Sequence, residues 1–180
     1  DMIESAKLWG RAYKDLATVE TLLHSSSTLA VADSFSLTEA NKALESTMMQ
    51  FGMRARNAAE AQQFSMKIVD SWTNVAHNAI VSAQDLAAAN ERSASAAKQA
   101  GVSFDFLQGM IGTMARNTGR SGGEIGNAIR SLMVSIHSDK AIKEIEKMGI
   151  AMYDVGENGT KSFRDVEQVL LDLMVTSDAT

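Results

Sequence analysis

The sequence predicts an all-α protein, a compact bundle of about seven to eight helices. Three observations carry that expectation. The 180-residue chain has no proline, the residue that removes a helical hydrogen bond and clashes with the preceding turn. It has 11 methionines and many alanines, both good helix formers. Its apolar residues recur at spacings of three and four, which puts one buried stripe on each helix.

The elements follow in order. Residues from about Ile3 to Ala32 read as one long helix or a helix pair, an N-terminal unit over residues 1–35. Trp9, Leu16 and Leu23 recur every seven residues, with Tyr13 and Val19 beside them. Ser25, Ser26, Ser27 and Thr28 interrupt this stripe, and hydroxyls that bond the preceding turn are expected to bend or break it there. A core unit over residues 36–180 comes next. Ser36-Leu37-Thr38-Glu39 has capping-box spacing. Leu37, Ala40, Leu44, Met48 and Phe51 then share a face, and Gly52 supplies a left-handed stop. A third helix from Asn57 carries Ala61, Phe64, Ile68, Trp72 and Val75. A fourth opens at Ser82-Ala83-Gln84-Asp85 and ends at Gly101. Its apolar content is mostly alanine, which allows close approach but buries little area.

Ser103 is positioned to cap a fifth helix with Leu107, Met110 or Ile111, and Met114. The glycines Gly119, Gly122, Gly123 and Gly126 follow, and the turn from Arg120 to Gly126 leads into a helix with Ile125, Ile129, Leu132, Met133 and Ile136. Asp139 lies near the start of a short helix that Gly149 stops. Residues 150–155 and 160–163 are predicted to pair as a β-hairpin across Asn158-Gly159, a pair suited to a type I′ turn. Ser162 is then placed to cap a last helix through Val166, Leu170 and Leu173.

Composition excludes several classes of chemistry. With no cysteine there is no disulfide, thiolate metal site or thiol nucleophile. The net charge of −5 is spread evenly, without the clustered Lys and Arg of a nucleic-acid surface. No apolar run approaches the ~20 residues of a membrane span, so membrane contact is expected only through parts outside this chain. Asp1 and Glu4 stand where a signal peptide would be basic. The lack of an initiator methionine suggests a fragment of a longer chain.

No catalytic, cofactor or metal residue is assigned. His24, His77 and His137 are the only histidines, and no two have the spacing of a zinc helix. The cluster GRSGGEIG lacks the Lys-Ser/Thr of a phosphate loop, having Asn127-Ala128 instead. A helix precedes it, where a dinucleotide site needs a strand. Gly122 and Gly126, with Ala115, are read as points of close helix approach. Glu45-Ser46 and Met49-Gln50 resemble pieces of lytic transglycosylase signatures. In those enzymes the pieces are far apart, and Glu45 is read as a solvated helix residue. Asn158-Gly159-Thr160 is a formal glycosylation sequon and is read as a turn. Phe64, Trp72, Met48, Met49 and Phe51 suit either a core or a partner-binding stripe.

Four blocks in order resemble the core region of phage tail tape measure proteins. Residues 23–53, LHSSSTLAVADSFSLTEANKALESTMMQFGM, contain a helix, a small-residue junction and a helix ending in Phe51-Gly52. Residues 58–89, AAEAQQFSMKIVDSWTNVAHNAIVSAQDLAAA, resemble the next helical pair. Residues 102–136, VSFDFLQGMIGTMARNTGRSGGEIGNAIRSLMVSI, hold Gly119, Ser121, Gly122, Ile125, Gly126 and Ala128 in the family's order. Residues 145–173, IEKMGIAMYDVGENGTKSFRDVEQVLLDL, resemble its closing helix, glycine, hairpin and helix. Missing prolines and the alanine-rich fourth helix depart from the pattern.

The resemblance implies a structural protein of the virion tail lumen, present in the host cytoplasm during assembly. It would set tail length and leave ahead of the DNA. Implied partners are tail tube and tail tip or baseplate proteins, assembly chaperones and further copies of the chain. A helix advances about 1.5 Å per residue, so 180 residues reach only about 270 Å when extended. The glycine-stopped helices argue for a compact module, with the ruler mostly elsewhere. A general helical interaction module and a cell-wall hydrolase are the competing readings.

Overall fold

The computed structural model describes residues 2–32, 36–79, 81–156 and 158–178. Among them run α1 (Met2–Ala12), α2 (Leu16–Ala32), α3 (Leu37–Gln50), α4 (Ala58–Ala79), α5 (Ala83–Gln99), α6 (Phe104–Thr118), α7 (Gly122–Ser135) and α8 (Asp139–Lys147). Strands β1 (Tyr153–Val155) and β2 (Lys161–Phe163) and helix α9 (Val166–Asp178) complete the order. The fold is all-α with one two-stranded antiparallel sheet, in which Tyr153 faces Phe163 and Val155 faces Lys161.

Serine caps define most helix starts. The hydroxyls of Ser36, Ser82, Ser103, Ser121 and Ser138 each accept a hydrogen bond from the backbone amide three residues on. Ser36 and Ser121 have full capping boxes with Glu39 and Glu124. Glycines close the ends: Gly52, Gly101, Gly119 and Gly149 all have φ between 61° and 84°.

The core is continuous. Trp9, Leu22, Leu44, Trp72, Leu107 and Ile129 are fully buried in one cluster that runs from α1 to α7. Burial of each such side chain contributes about 1.5–3 kcal/mol. The alanine-rich α5 sits at the centre, packed against α3, α4, α6 and α7. Ala83, Ala89, Ala94 and Ala97 are buried there. Small side chains let four neighbours approach one helix, so α5 acts as an axle more than as a source of apolar area.

The structure corrects three expectations. The N-terminal segment is a helix pair, one of the two forms expected, but it is not broken at its serines. It breaks at residues 13–15, and α2 runs unbroken through Ser25 to Thr28. Asp15 explains the break: its carboxylate accepts from the Thr18 amide at 3.0 Å and the Thr18 hydroxyl at 2.7 Å, capping α2. The serine hydroxyls bond the carbonyls four residues back, as expected, but inside an intact helix. With this break, nine helices appear among the described residues, where about seven to eight were expected.

The last helix is not capped by Ser162, which lies in β2 opposite Asp154. Instead α9 starts against the α5–α6 turn. The Val166 amide donates to the Ala100 carbonyl at 2.8 Å, and the Ser103 amide donates to Glu167 at 2.7 Å. Nor is the hairpin closed by a two-residue turn. Its connection covers residues 156–160, with the Gly156 amide donating to the Thr160 carbonyl at 2.9 Å and Gly159 at φ 73°. The expected boundary at residue 35 lies outside the described residues.

Candidate functional site

Two places concentrate the residues singled out from the sequence. The first is the seam between α5 and α7. Gly122 and Gly126 lie one turn apart on α7, buried against α5. A Cβ on Gly122 would overlap the Asp85 carbonyl. One on Gly126 would stand 2.6 Å from the Ala89 carbonyl oxygen. The two helices therefore touch backbone to backbone, as only glycine permits. Gly123 points elsewhere, with the Arg92 side chain as its nearest neighbour at 3.2 Å. Ala115 is buried at the end of α6. Gly119 ends α6 in the left-handed conformation, and its amide donates to Ala115.

Asp85 ties this seam together. One of its oxygens accepts from the Ser82 hydroxyl at 2.8 Å, inside the α5 cap. The other accepts from the Gly122 amide at 2.8 Å, the first free amide of α7. One carboxylate thus satisfies donors at two helix N-termini, where negative charge is stabilised by both helix dipoles. The Ser121 and Glu124 amides go to the turn's own capping box, and the Arg120 amide donates to the Thr118 hydroxyl. The Ser121 hydroxyl and then the Ser121 amide hold Glu124 below the ordinary glutamate pKa. An incoming anion would find these donors already occupied.

The second place is a cavity of about 550 Å³ between the ends of α1 and α3. Trp9 and Met48 are buried at its floor, and Tyr13, Met53 and Glu45 form half-buried walls. Arg11, Arg54 and the exposed Met49 stand at its mouth. Burial pushes the Glu45 carboxyl up from its ordinary value. Glu45 is therefore not the freely solvated residue expected. It is also the only carboxylate among the lining residues, so the second acid or base of a paired mechanism is not supplied there.

The other candidates are placed apart. Phe51 is buried edge-on to Phe104 at 5.3 Å, beside Gly52 in the α3 end. Phe64, Trp72 and Met48 pack in or against the core, while Met49 is 73% exposed. Gly149 ends α8, and Asn158 and Gly159 lie at the exposed hairpin tip. His24 and His77 are exposed, and His137 packs edge-on against Phe163 at 4.8 Å. Among the described residues no group of three His, Asp or Glu could hold a metal, and no helix is long and apolar enough to cross a membrane.

Sequence reasoning missed three buried polar joints. The Trp9 indole donates to Asn41, and Asn41 donates to the Leu37 carbonyl at 2.7 Å. Asn90 and Gln108 exchange two hydrogen bonds at 3.0 and 2.8 Å, joining α5 to α6. Ser25 and Ser65 meet hydroxyl to hydroxyl at 2.7 Å, joining α2 to α4. Their signal was present as polar residues on apolar stripes, Asn41 beside Ala40 and Leu44, and Asn90 beside Leu86 and Ala89. No solved structure matches the chain. A family described as "Phage-related minor tail protein" matches it over residues 1–179.

Proposed function

The chain belongs to the phage-related minor tail protein family, and from that premise we propose that it is a compact, non-enzymatic module of a tail tape measure protein. In this reading it sits in the tail lumen and is assembled in the host cytoplasm with tail tube, tail tip or baseplate proteins and assembly chaperones. The longer protein sets tail length and leaves ahead of the DNA. The observation that carries the reading is the way the four tape-measure-like blocks interlock. The first two run from within α2 to within α5, the third supplies the α7 that seats on α5 through Gly122 and Gly126, and the fourth anchors α9 on the α5–α6 turn.

A folded module measures little by itself. In-frame deletion of residues 36–178 from the full open reading frame, with virions examined by electron microscopy, tests the idea. Tails should be absent or misassembled, not uniformly shorter by the extended length of the deleted segment. Normal tails of unchanged length would remove the proposed role.

A second reading, wall hydrolysis, is favoured by one observation, the partly buried Glu45 in the cavity between α1 and α3. Peptidoglycan release by the wild-type chain and its loss in Glu45→Gln would establish it. No release by the wild type would end it.

A further inference from the structure

The hairpin tip carries a motif that a structural role leaves unused. The chain has eight asparagines, and only Asn158 is followed by a glycine. An asparagine side chain can be attacked by the backbone nitrogen of the next residue, and a glycine there has no side chain to hinder the approach. The fold removes the competitors. Asn41, Asn74, Asn78, Asn90, Asn117 and Asn127 lie inside helices, where the fixed backbone and its hydrogen bonds hold that nitrogen away. Asn57 caps α4, its side-chain oxygen accepting from the Glu60 amide at 2.9 Å. Asn158, by contrast, is exposed between β1 and β2, and its side chain makes no hydrogen bond among the described residues.

We propose that Asn158 is a self-modifying site, which deamidates without an enzyme and loosens the hairpin when it does. The Gly159 nitrogen gives its proton to a solvent base and attacks Cγ of Asn158. The new N–Cγ bond closes a succinimide ring, the Cγ–Nδ2 bond breaks, and Nδ2 takes up a proton and leaves as ammonia. Water then opens the ring. Addition at Cγ gives aspartate, and addition at the main-chain carbonyl carbon gives isoaspartate, whose backbone runs through Cβ and Cγ. No electrons are transferred, and water is the only co-reactant. The native turn restrains the reaction. The Gly159 amide donates to the Gly156 carbonyl at 2.8 Å, so its nitrogen is free only when the tip opens. That opening is local, since no described residue from 154 to 161 is buried. Either product adds a negative charge. Isoaspartate also lengthens the main chain inside the 156–160 connection, which works against the Gly156–Thr160 bond and the contact of the Tyr153 and Phe163 rings, 4.6 Å apart.

Ageing the 180-residue chain at mildly alkaline pH and physiological temperature tests this, followed by peptide mass spectrometry and isoaspartate methyltransferase labelling. Conversion is expected at Asn158, with isoaspartate exceeding aspartate and the other asparagines unchanged. The same chain unfolded in urea should convert at Asn158 about two- to tenfold faster, the worth of the one hydrogen bond that restrains Gly159. Asn158→Gln disfavours ring closure and should abolish the label, and at an exposed position it should leave the thermal unfolding midpoint where it was. In the aged wild type, hydrogen exchange should quicken in residues 153–163 and stay unchanged in α5. A folded chain that stays unmodified while the unfolded chain converts overturns the proposal. So does another asparagine of the folded chain that converts as fast as Asn158. An aged, labelled chain whose hairpin exchanges as before overturns the loosening.

Discussion

Gly122 and Gly123 are adjacent, yet they answer to different constraints. Gly122 is backed by the Asp85 carbonyl, which cannot yield without moving α5. Gly122→Ala is expected to cost about 1–3 kcal/mol or more by overpacking. Gly123 meets only the flexible Arg92 side chain, and replacing a helical glycine by alanine recovers up to about 1 kcal/mol. Gly123→Ala should be neutral or stabilising. Urea unfolding of the two variants side by side checks the contrast. Glu45 gives a pH prediction. Its folded pKa is raised, so its charged form destabilises the fold at neutral pH, and that effect disappears as pH falls through the folded pKa to below the unfolded value of 4.5. Glu45→Gln should therefore raise the midpoint at pH 7 and have no such effect near pH 4. The capping carboxylates Glu39 and Glu124 have lowered folded pKa values, and act in the opposite sense. Their contribution is full above the unfolded value and is lost as pH falls through the folded one.

At the scale of elements, the helices are joined by polar pairs as much as by apolar stripes. Asn90→Leu should cost about 1–3 kcal/mol, because it leaves the buried Gln108 amide without its partner. The double variant Asn90→Leu, Gln108→Leu should recover part of that loss, measured by denaturant midpoints in a double-mutant cycle. Most helix boundaries were legible because serine caps and glycine stops are local chemistry. Ser36, Ser82 and Ser103 accept the amides that their spacing predicted, whereas Ser121 starts α7 inside the stretch read as a turn as far as Gly126. What was not legible depends on neighbours. Asp15 competes with four hydroxyl residues as the breaking point, and only packing decides between them. Ser162 has a cap's chemistry but is held in a strand by Asp154. Of the site residues, the closeness allowed by Gly122 and Gly126 could be expected, whereas the helix they touch could not. Glu45 looked solvated because nothing in the sequence shows that the end of α1 folds over the end of α3.

At the scale of the molecule, the C-terminal part is attached more lightly than the rest. It joins the bundle through Ile142, Ile145, Met152, Val166 and Val169, through the locked start of α9, and through Arg164. That guanidinium bridges the Ala151 carbonyl and Asp172, both at 2.9 Å. Amide hydrogen exchange should therefore be fastest in residues 153–163 and the second half of α9, and slowest in α5. The opposite ranking would place the weak point elsewhere. The bundle's centre also limits how this chain can vary in length. Inserting one residue between Asp85 and Ala89 would rotate the following part of α5 by about 100°. Asp85 would still reach the Gly122 amide, but a bulkier surface would face Gly126. Homologous chains should accordingly gain or lose residues at joints such as 156–160, while the five positions from Asp85 to Ala89 keep their count.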